Sequence, residues 1–231
     1  MKIISGSKKS YIISAPKNLP VRPTSGLVKE SLFNILSNYF NFNKVKVLDL
    51  FAGTGNISYE FVSRGCENID SIDINSRCTR FIKKKSLELG LKINVSNLSA
   101  NRFLNKNQSK YDIIFADPPY QFSTEEYTDL IDLIFDLAKL NSEGFLVIEH
   151  EKKIQFSKHD MFYFDKRYGG TMLSFFKSKP ISRILSSLII YLGILLLKCS
   201  IHLPFCIRRA TLIYRYTWCF TMQSLQDSTT A

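Results

Sequence analysis

Val45-Lys46-Val47-Leu48-Asp49-Leu50-Phe51-Ala52-Gly53-Thr54-Gly55 is a short apolar run that ends on an acid and a turn with two glycines. Val45–Leu50 predicts a strand covered on both faces, and residues 56–64, closed by Gly65, predict the helix that follows it. Gly53 and Gly55 let the main chain turn sharply and approach a ligand with no Cβ in the way. Two glycines also fit an ordinary structural turn, but their place between strand and helix favours a ligand-binding loop. No Lys-Ser or Lys-Thr pair follows, which excludes a nucleoside-triphosphate P-loop.

The alternation continues downstream. Asn68–Asp73 reads as a second strand, followed by a helix over 76–89 with Cys78, Phe81, Ile82 and Leu89 inward and Gly90 as its stop. Lys92–Leu98 and Tyr111–Ala116 read as the third and fourth strands, Glu125–Leu140 as an amphipathic helix, and Gly144–Glu149 as the fifth strand. Met161–Arg167 and Thr171–Lys177 flank Tyr168-Gly169-Gly170 as an antiparallel hairpin. Upstream, Lys2–Ser5 and Ser10–Ser14 suggest a hairpin, and Pro16, Pro20 and Pro23 keep the chain extended. A one-sided helix then starts after Thr24 or Ser25 and carries Val28, Leu32, Ile35, Leu36 and Tyr39. The predicted class is α/β: a Rossmann-like methyltransferase architecture with a mostly parallel seven-stranded sheet ending in an antiparallel hairpin, plus a short N-terminal hairpin and helix extension.

The 231 residues suffice for one domain with an appendage. Apolar residues are 45% and charged residues 22%, so a packed core is expected and wholesale disorder is excluded. The net charge of +11 suits a polyanionic partner, nucleic acid or an anionic membrane surface. Cys66, Cys78, Cys199, Cys206 and Cys219 form no CxxC pair, which argues against a disulfide framework or zinc site and for a reducing cytoplasm. The N-terminus has no continuous apolar run of the kind a secretory signal needs. Residues 1–40 are expected to form the N-terminal extension, 41–179 the catalytic domain and 180–231 an atypical tail. That tail carries Arg183, Lys198, Arg208, Arg209 and Arg215 against the single acid Asp227. Its uncharged run Ile184–Leu197 is shorter than the roughly 20 residues a spanning helix wants, and extension to Ile207 admits Lys198, His202 and Pro204. A buried or interfacial helix, a poor membrane anchor and a read-through end foreign to the domain compete; the third is favoured, because the fold before it is complete.

Ligands in an open α/β sheet bind beyond the carboxyl ends of the strands, where strand order reverses. Asp73 ends the second strand eighteen residues beyond Gly55, close to the roughly 20-residue spacing of an acid that takes a ribose diol. An ionised carboxylate only accepts, and two hydroxyls donate; judged alone, a solvated strand-end aspartate fits equally well. Asp117-Pro118-Pro119-Tyr120, after the fourth strand, is far more specific. Its prolines stiffen the loop and donate no N–H, leaving carbonyl acceptors between an acid and an aromatic face. Such a loop can grip a planar ring with an exocyclic amine: acceptors take the amine hydrogens and the ring stacks on Tyr120.

Together these segments resemble the S-adenosylmethionine-dependent methyltransferases, specifically the RsmD-type 16S ribosomal RNA guanine-N2 methyltransferases. The discriminating stretch is Arg22-Pro23-Thr24 with Val28, Lys29-Glu30 and Leu32-Phe33-Asn34, similar to that family's RPT…(R/K)E.LFN signature. Ile3-Ile4-Ser5-Gly6, Ile148-Glu149-His150-Glu151 and Tyr168-Gly169-Gly170-Thr171 stand where similar segments occur. The resemblance implies S-adenosylmethionine as cofactor, no metal, and methylation of guanine 966 in 16S rRNA of a partly assembled small ribosomal subunit. Carried over by position, Asp49, Phe51, Gly53 and Gly55 would line the methionine and ribose side, Asp73 would hold the ribose hydroxyls, and Ile74 would lie against the adenine. Asp117, Pro118 and Tyr120 would be catalytic, with Arg22, Thr24 and Pro119 on the substrate side. Two positions depart from the pattern. Asn75 replaces an acid often found two residues after the ribose carboxylate. Ser99-Ala100-Asn101 lacks an aspartate common near the adenine, so a backbone amide at Ala100 or Asn101 would serve there.

Three other functions compete. A DNA adenine-N6 methyltransferase uses the same tetrapeptide type, but residues 1–40 are too short for its usual target-recognition domain. A glutamine-N5 methyltransferase prefers Asn in place of Asp117. A non-catalytic RNA-binding assembly factor would not need the intact set of Gly53, Gly55, Asp73 and Asp117–Tyr120. Lys8, Lys9, Lys17, Arg22 and Lys83-Lys84-Lys85 are candidate phosphate contacts. His150 and His159 read as ordinary strand-end or surface histidines. A cytoplasmic monomer is expected, with membrane contact through 184–207 disfavoured.

Overall fold

The computed structural model describes residues 1–16, 25–119 and 121–178. Arg22, Thr24, Tyr120 and the 180–231 tail therefore lie outside the described residues, as do Lys17, Pro20 and Pro23. The elements run α1 (Gly26–Leu36), a 3-10 turn (Phe42–Lys44), β1 (Lys46–Asp49), α2 (Asn56–Ser63), β2 (Asn68–Asp73), α3 (Ser76–Leu89), β3 (Asn94–Asn97) and α4 (Ala100–Lys106). They continue with β4 (Tyr111–Ala116), α5 (Thr124–Asp136), β5 (Leu140–Glu151), β6 (Phe162–Tyr168) and β7 (Thr171–Phe176). The strands form one seven-stranded sheet in the order β3-β2-β1-β4-β5-β7-β6. The first five are mutually parallel, and β7 runs antiparallel to both β5 and β6. The expected mostly parallel seven-stranded sheet with its terminal antiparallel hairpin is therefore present.

Helices cover both faces, which is why the central strands read as continuous apolar runs. On one face Leu48, Ile114, Leu146 and Ile148 pack against Phe103 and Leu104 of α4 and Tyr127, Ile131 and Ile134 of α5. On the other, Val47, Ile113, Phe115 and Val147 pack against Leu32, Phe33 and Leu36 of α1 and Ile57 and Phe61 of α2. Each such Leu, Ile or Phe contributes about 1.5–3 kcal/mol on full burial. Helix starts are set by side-chain caps: Ser25 accepts from the Val28 N–H, Asn75 from Arg77, Ser99 from Arg102, and Ser123 forms a reciprocal box with Glu126.

Several expected boundaries move. The α4 helix is absent from the sequence reading because its seven residues are too short to show helical periodicity. The α5 helix stops at Asp136 rather than Leu140, since Ala138 adopts φ +48° and Leu140 already pairs with Tyr111. The fifth strand accordingly starts earlier and ends later than expected, while β3 is trimmed to an edge strand of four residues. His150 is the strand-end histidine of the two readings, buried near the end of β5 and bonded to the Ser174 hydroxyl at 2.7 Å.

The N-terminal hairpin forms around one antiparallel bridge, Lys2 with Ile12, where the Ile3 N–H donates to the Tyr11 carbonyl at 2.9 Å and the Ile13 N–H to the Met1 carbonyl at 2.8 Å, and side chains of the domain take the N–H groups that follow. The Ile4 and Ser5 N–H groups donate to the two oxygens of buried Glu60 at 2.8 and 3.0 Å. Buried Lys29 donates to the Lys2 carbonyl and to Asn56 Oδ1, and its ammonium lies 3.3 Å from Glu60. Gly6 is obligatory here: at φ +84°, a Cβ would sit 1.7 Å from the Ser63 carbonyl oxygen.

Candidate active site

Strand order reverses between β1, which leads outward to β2, and β4, which leads outward to β5. A cavity of about 1030 Å³ opens there, lined from the β1, β2, β4 and β5 ends. Register explains the convergence. Asp49 pairs with Phe115, and Phe115 with Val147. Residues two apart share a sheet face, so Asp49 and Glu149 project on one face, and Asp117 directly follows the last residue of β4, the strand between theirs. All three line the cavity.

The cofactor side is built around two carboxylates. Asp73 accepts from the Gly53 N–H at 2.8 Å and from the Asn75 N–H at 2.7 Å, so it clamps the glycine turn. A carboxylate has about four lone-pair sites, which leaves capacity for two donating hydroxyls. Burial raises its pKa, against the lowering effect of the Asn75 and Gly53 amides. Asp49 is only 1% exposed and accepts from the Ser58 hydroxyl at 2.6 Å. Burial, opposed by Ser58 and reinforced by the charge of Asp73, pushes its carboxyl up to about 7. Ile74 is 74% exposed at the rim, an apolar shelf whose carbonyl, with that of Asp73, is held by Asn97 Nδ2. A cationic group, a diol and a flat apolar ring thus each meet a suitable partner, and the residues fit S-adenosylmethionine.

Phe51, Gly53, Ala100 and Asn101 also line the cavity. Gly55 does not. It caps α2 at φ +81°, and a Cβ there would lie 3.0 Å from the Tyr59 ring and Ile82, so its part is to make the turn possible. Asn75 has a positive reason to be present: its side chain caps α3 while its N–H holds Asp73.

From the end of β4, half-buried Asp117, buried Pro118 and exposed Pro119 line the same cavity. The Pro119 carbonyl accepts from the Phe122 N–H at 2.9 Å, closing the loop. Phe122 meets Phe51 edge-on at 5.8 Å, bridging the proline loop to the glycine loop. Sequence reasoning missed Phe122, Asn97 and Glu149 as parts of this site. Nothing local marks Phe122 or Asn97. Glu149 did carry a signal, an acid ending an otherwise apolar strand. Among the described residues no helix is long and apolar enough to cross a membrane, and no cluster of three or more metal-ligating side chains occurs.

Residues 1–177 match the family described as Conserved hypothetical protein 95. The chain is 36% identical to YlbH of Bacillus subtilis over 160 residues, covering 67% of this chain and 85% of the relative. It is 37% identical over 155 residues to the ribosomal RNA small subunit methyltransferase D of Buchnera aphidicola, covering 65% of this chain and 78% of that protein. Among solved structures, yhhF of Escherichia coli superposes with a TM-score of 0.67 at 24% identity, covering 78% of this chain and 99% of that one.

Proposed function

From the premise that the chain belongs to the Conserved hypothetical protein 95 family, that of the RsmD-type S-adenosylmethionine-dependent methyltransferases, we propose that it methylates the exocyclic N2 amine of a guanine in small-subunit ribosomal RNA. Guanine 966 is the position the sequence resemblance implies. The observation that carries the reading is the convergence of Asp49, Asp73 and Asp117 on one cavity at the sheet's switch point.

When bound, S-adenosylmethionine supplies an electrophilic methyl group on a sulfonium sulfur. Asp73 would hold the ribose hydroxyls, Asp49 would balance the cationic methionine end, and Ile74 would pack on the adenine. On the other wall, an unpaired guanine enters with its N2 amine toward Asp117 and the Pro118 carbonyl. That nitrogen's lone pair is delocalised into the ring, which makes it a weak nucleophile. Acceptors on both hydrogens favour a more tetrahedral nitrogen with a localised lone pair, and alignment supplies much of the acceleration. The amine becomes acidic once alkylated, so its proton passes to Asp117 or water after transfer rather than before it.

Exposed Lys9, Lys83 and Lys84 suit phosphate contacts that position RNA without reading its sequence. In this reading residues 1–40 orient the RNA, 41–179 carry the chemistry and 180–231 take no part in it. The substrate is the partly assembled subunit and the enzyme acts as a cytoplasmic monomer. Asp117→Ala should abolish N2-methylguanosine formation while S-adenosylmethionine still binds. The test combines nucleoside mass spectrometry of small-subunit RNA with calorimetry on the same variant; an unchanged methylation rate refutes the assignment.

A further inference from the structure

We infer that Glu149 is the residue that selects guanine over other bases, by accepting from the ring N1–H beside the N2 amine. The inference rests on the guanine-N2 reading above and deepens it.

Glu149 ends the buried part of β5 and is 6% exposed, yet it lines the cavity. Ala116, the last residue of β4, pairs with Ile148 of β5, so Asp117 and Glu149 each follow that pair on neighbouring segments, and both line the cavity. Glu149 lies on the Val147 face of β5, away from Ile148 and His150, which pack toward Tyr127 and Phe156. The target wall therefore carries two neighbouring carboxylates, not one. A carboxylate accepts and cannot donate. The pair suits a ligand edge that presents consecutive N–H donors.

Guanine is the base that does so: N1–H and the two N2 hydrogens lie in a row on its Watson–Crick edge. Adenine and cytosine place a ring-nitrogen lone pair beside the amine, and uracil flanks its single N–H with carbonyl oxygens. With Asp117 on the amine, Glu149 stands where N1–H arrives. A base with a lone pair at that position would face a buried carboxylate, an unfavourable contact. Asp117 then carries the reaction while Glu149 sets base identity. This division also separates the site from an adenine-N6 enzyme built on the same tetrapeptide.

The test uses small-subunit particles reconstituted on 16S RNA with either guanine or 2-aminopurine at the position the wild type modifies. The analogue keeps the amine, carries a lone pair in place of N1–H and lacks the 6-carbonyl, so the variant's response on the two RNAs is what isolates the N1 contact. Wild-type enzyme should prefer guanine by about tenfold to a hundredfold in kcat/KM, the worth of one buried hydrogen bond. Glu149→Gln, whose amide can donate, should lose about that factor on guanine and hold or gain on 2-aminopurine, with S-adenosylmethionine affinity unchanged. Equal wild-type rates on both RNAs would overturn the inference, and so would an equal loss on both in the variant. If Glu149→Gln fails to fold, Glu149→Ala takes its place: it should lose the preference for guanine, and a preference kept at the wild-type level would overturn the inference. Absence of N2-methylguanosine from the guanine particle would sink the proposed function itself, an outcome distinct from lost discrimination.

Discussion

Asp49→Asn is the perturbation whose size follows most directly from the structure. The carboxyl is buried, bonded to Ser58, and Ser58 in turn contacts Ser71 at 2.5 Å. Its pKa moves from 3.8 to about 7, with burial the largest cause. Each tenfold change in a protonation equilibrium is worth about 1.4 kcal/mol, so ionising Asp49 in the folded protein costs about 4 kcal/mol relative to the unfolded chain. The folded protein holds a proton that the unfolded chain releases. Its stability is therefore fully present below pH 3.8 and declines as pH rises through about 7. Asparagine copies the protonated form, and its Oδ1 can still accept from Ser58. Water in the cavity reduces the penalty, so the expected gain for the ligand-free variant is about 2–4 kcal/mol at pH 8 and near zero at pH 4. Urea denaturation of both proteins at the two pH values measures it. Ligand binding should move the opposite way. The cationic sulfonium and ammonium favour ionised Asp49, so S-adenosylmethionine binding to wild type at pH 6 should release a proton. Calorimetry in buffers of different ionisation heat counts that proton, which should vanish in the variant together with about tenfold or more of the affinity. Equal stability at pH 8, or proton release that persists in Asp49→Asn, would refute the reasoning.

Asp73→Asn turns one of two acceptors into a donor facing the Gly53 or Asn75 N–H, and the expected fall in S-adenosylmethionine affinity is about tenfold to a hundredfold; calorimetry showing unchanged affinity would exclude a diol role. Glu60→Gln removes the charge that balances buried Lys29 and Arg64. The predicted loss is about 3–5 kcal/mol, the usual result of leaving one ion of a buried pair uncompensated. Urea midpoints measure that loss, faster amide exchange at Ile4 and Ser5 should accompany it, and a change under about 1 kcal/mol would contradict it.

Much of the candidate site was legible because its parts sit at strand ends. Asp49 and Asp117 each close an apolar run and Asp73 ends the strand between two helices, and the parallel-sheet rule puts such ends at one edge. The parts left out act through space. Asn97 holds the Asp73 and Ile74 carbonyls from a neighbouring strand, and Phe122 reaches Phe51 across the cavity. Gly55 was expected at the ligand, yet it serves the turn, since a glycine required by φ and one required by a close approach look identical in sequence.

Periodicity alone determined the α/β class, the terminal hairpin and the identity of the strand-end acids, because apolar spacing follows directly from which faces must be buried. Which acids share a wall was decided by the tertiary structure. The register Asp49–Phe115–Val147 sets Asp49 and Glu149 on one face, and a slip of one residue in either strand would send its acid to the opposite layer. Burial then gives chemically identical side chains different roles, raising Asp49 to about 7 while the amides around Asp73 oppose the same effect. A carboxylate's neighbours come from distant segments of chain, so its charge state is a property of the fold.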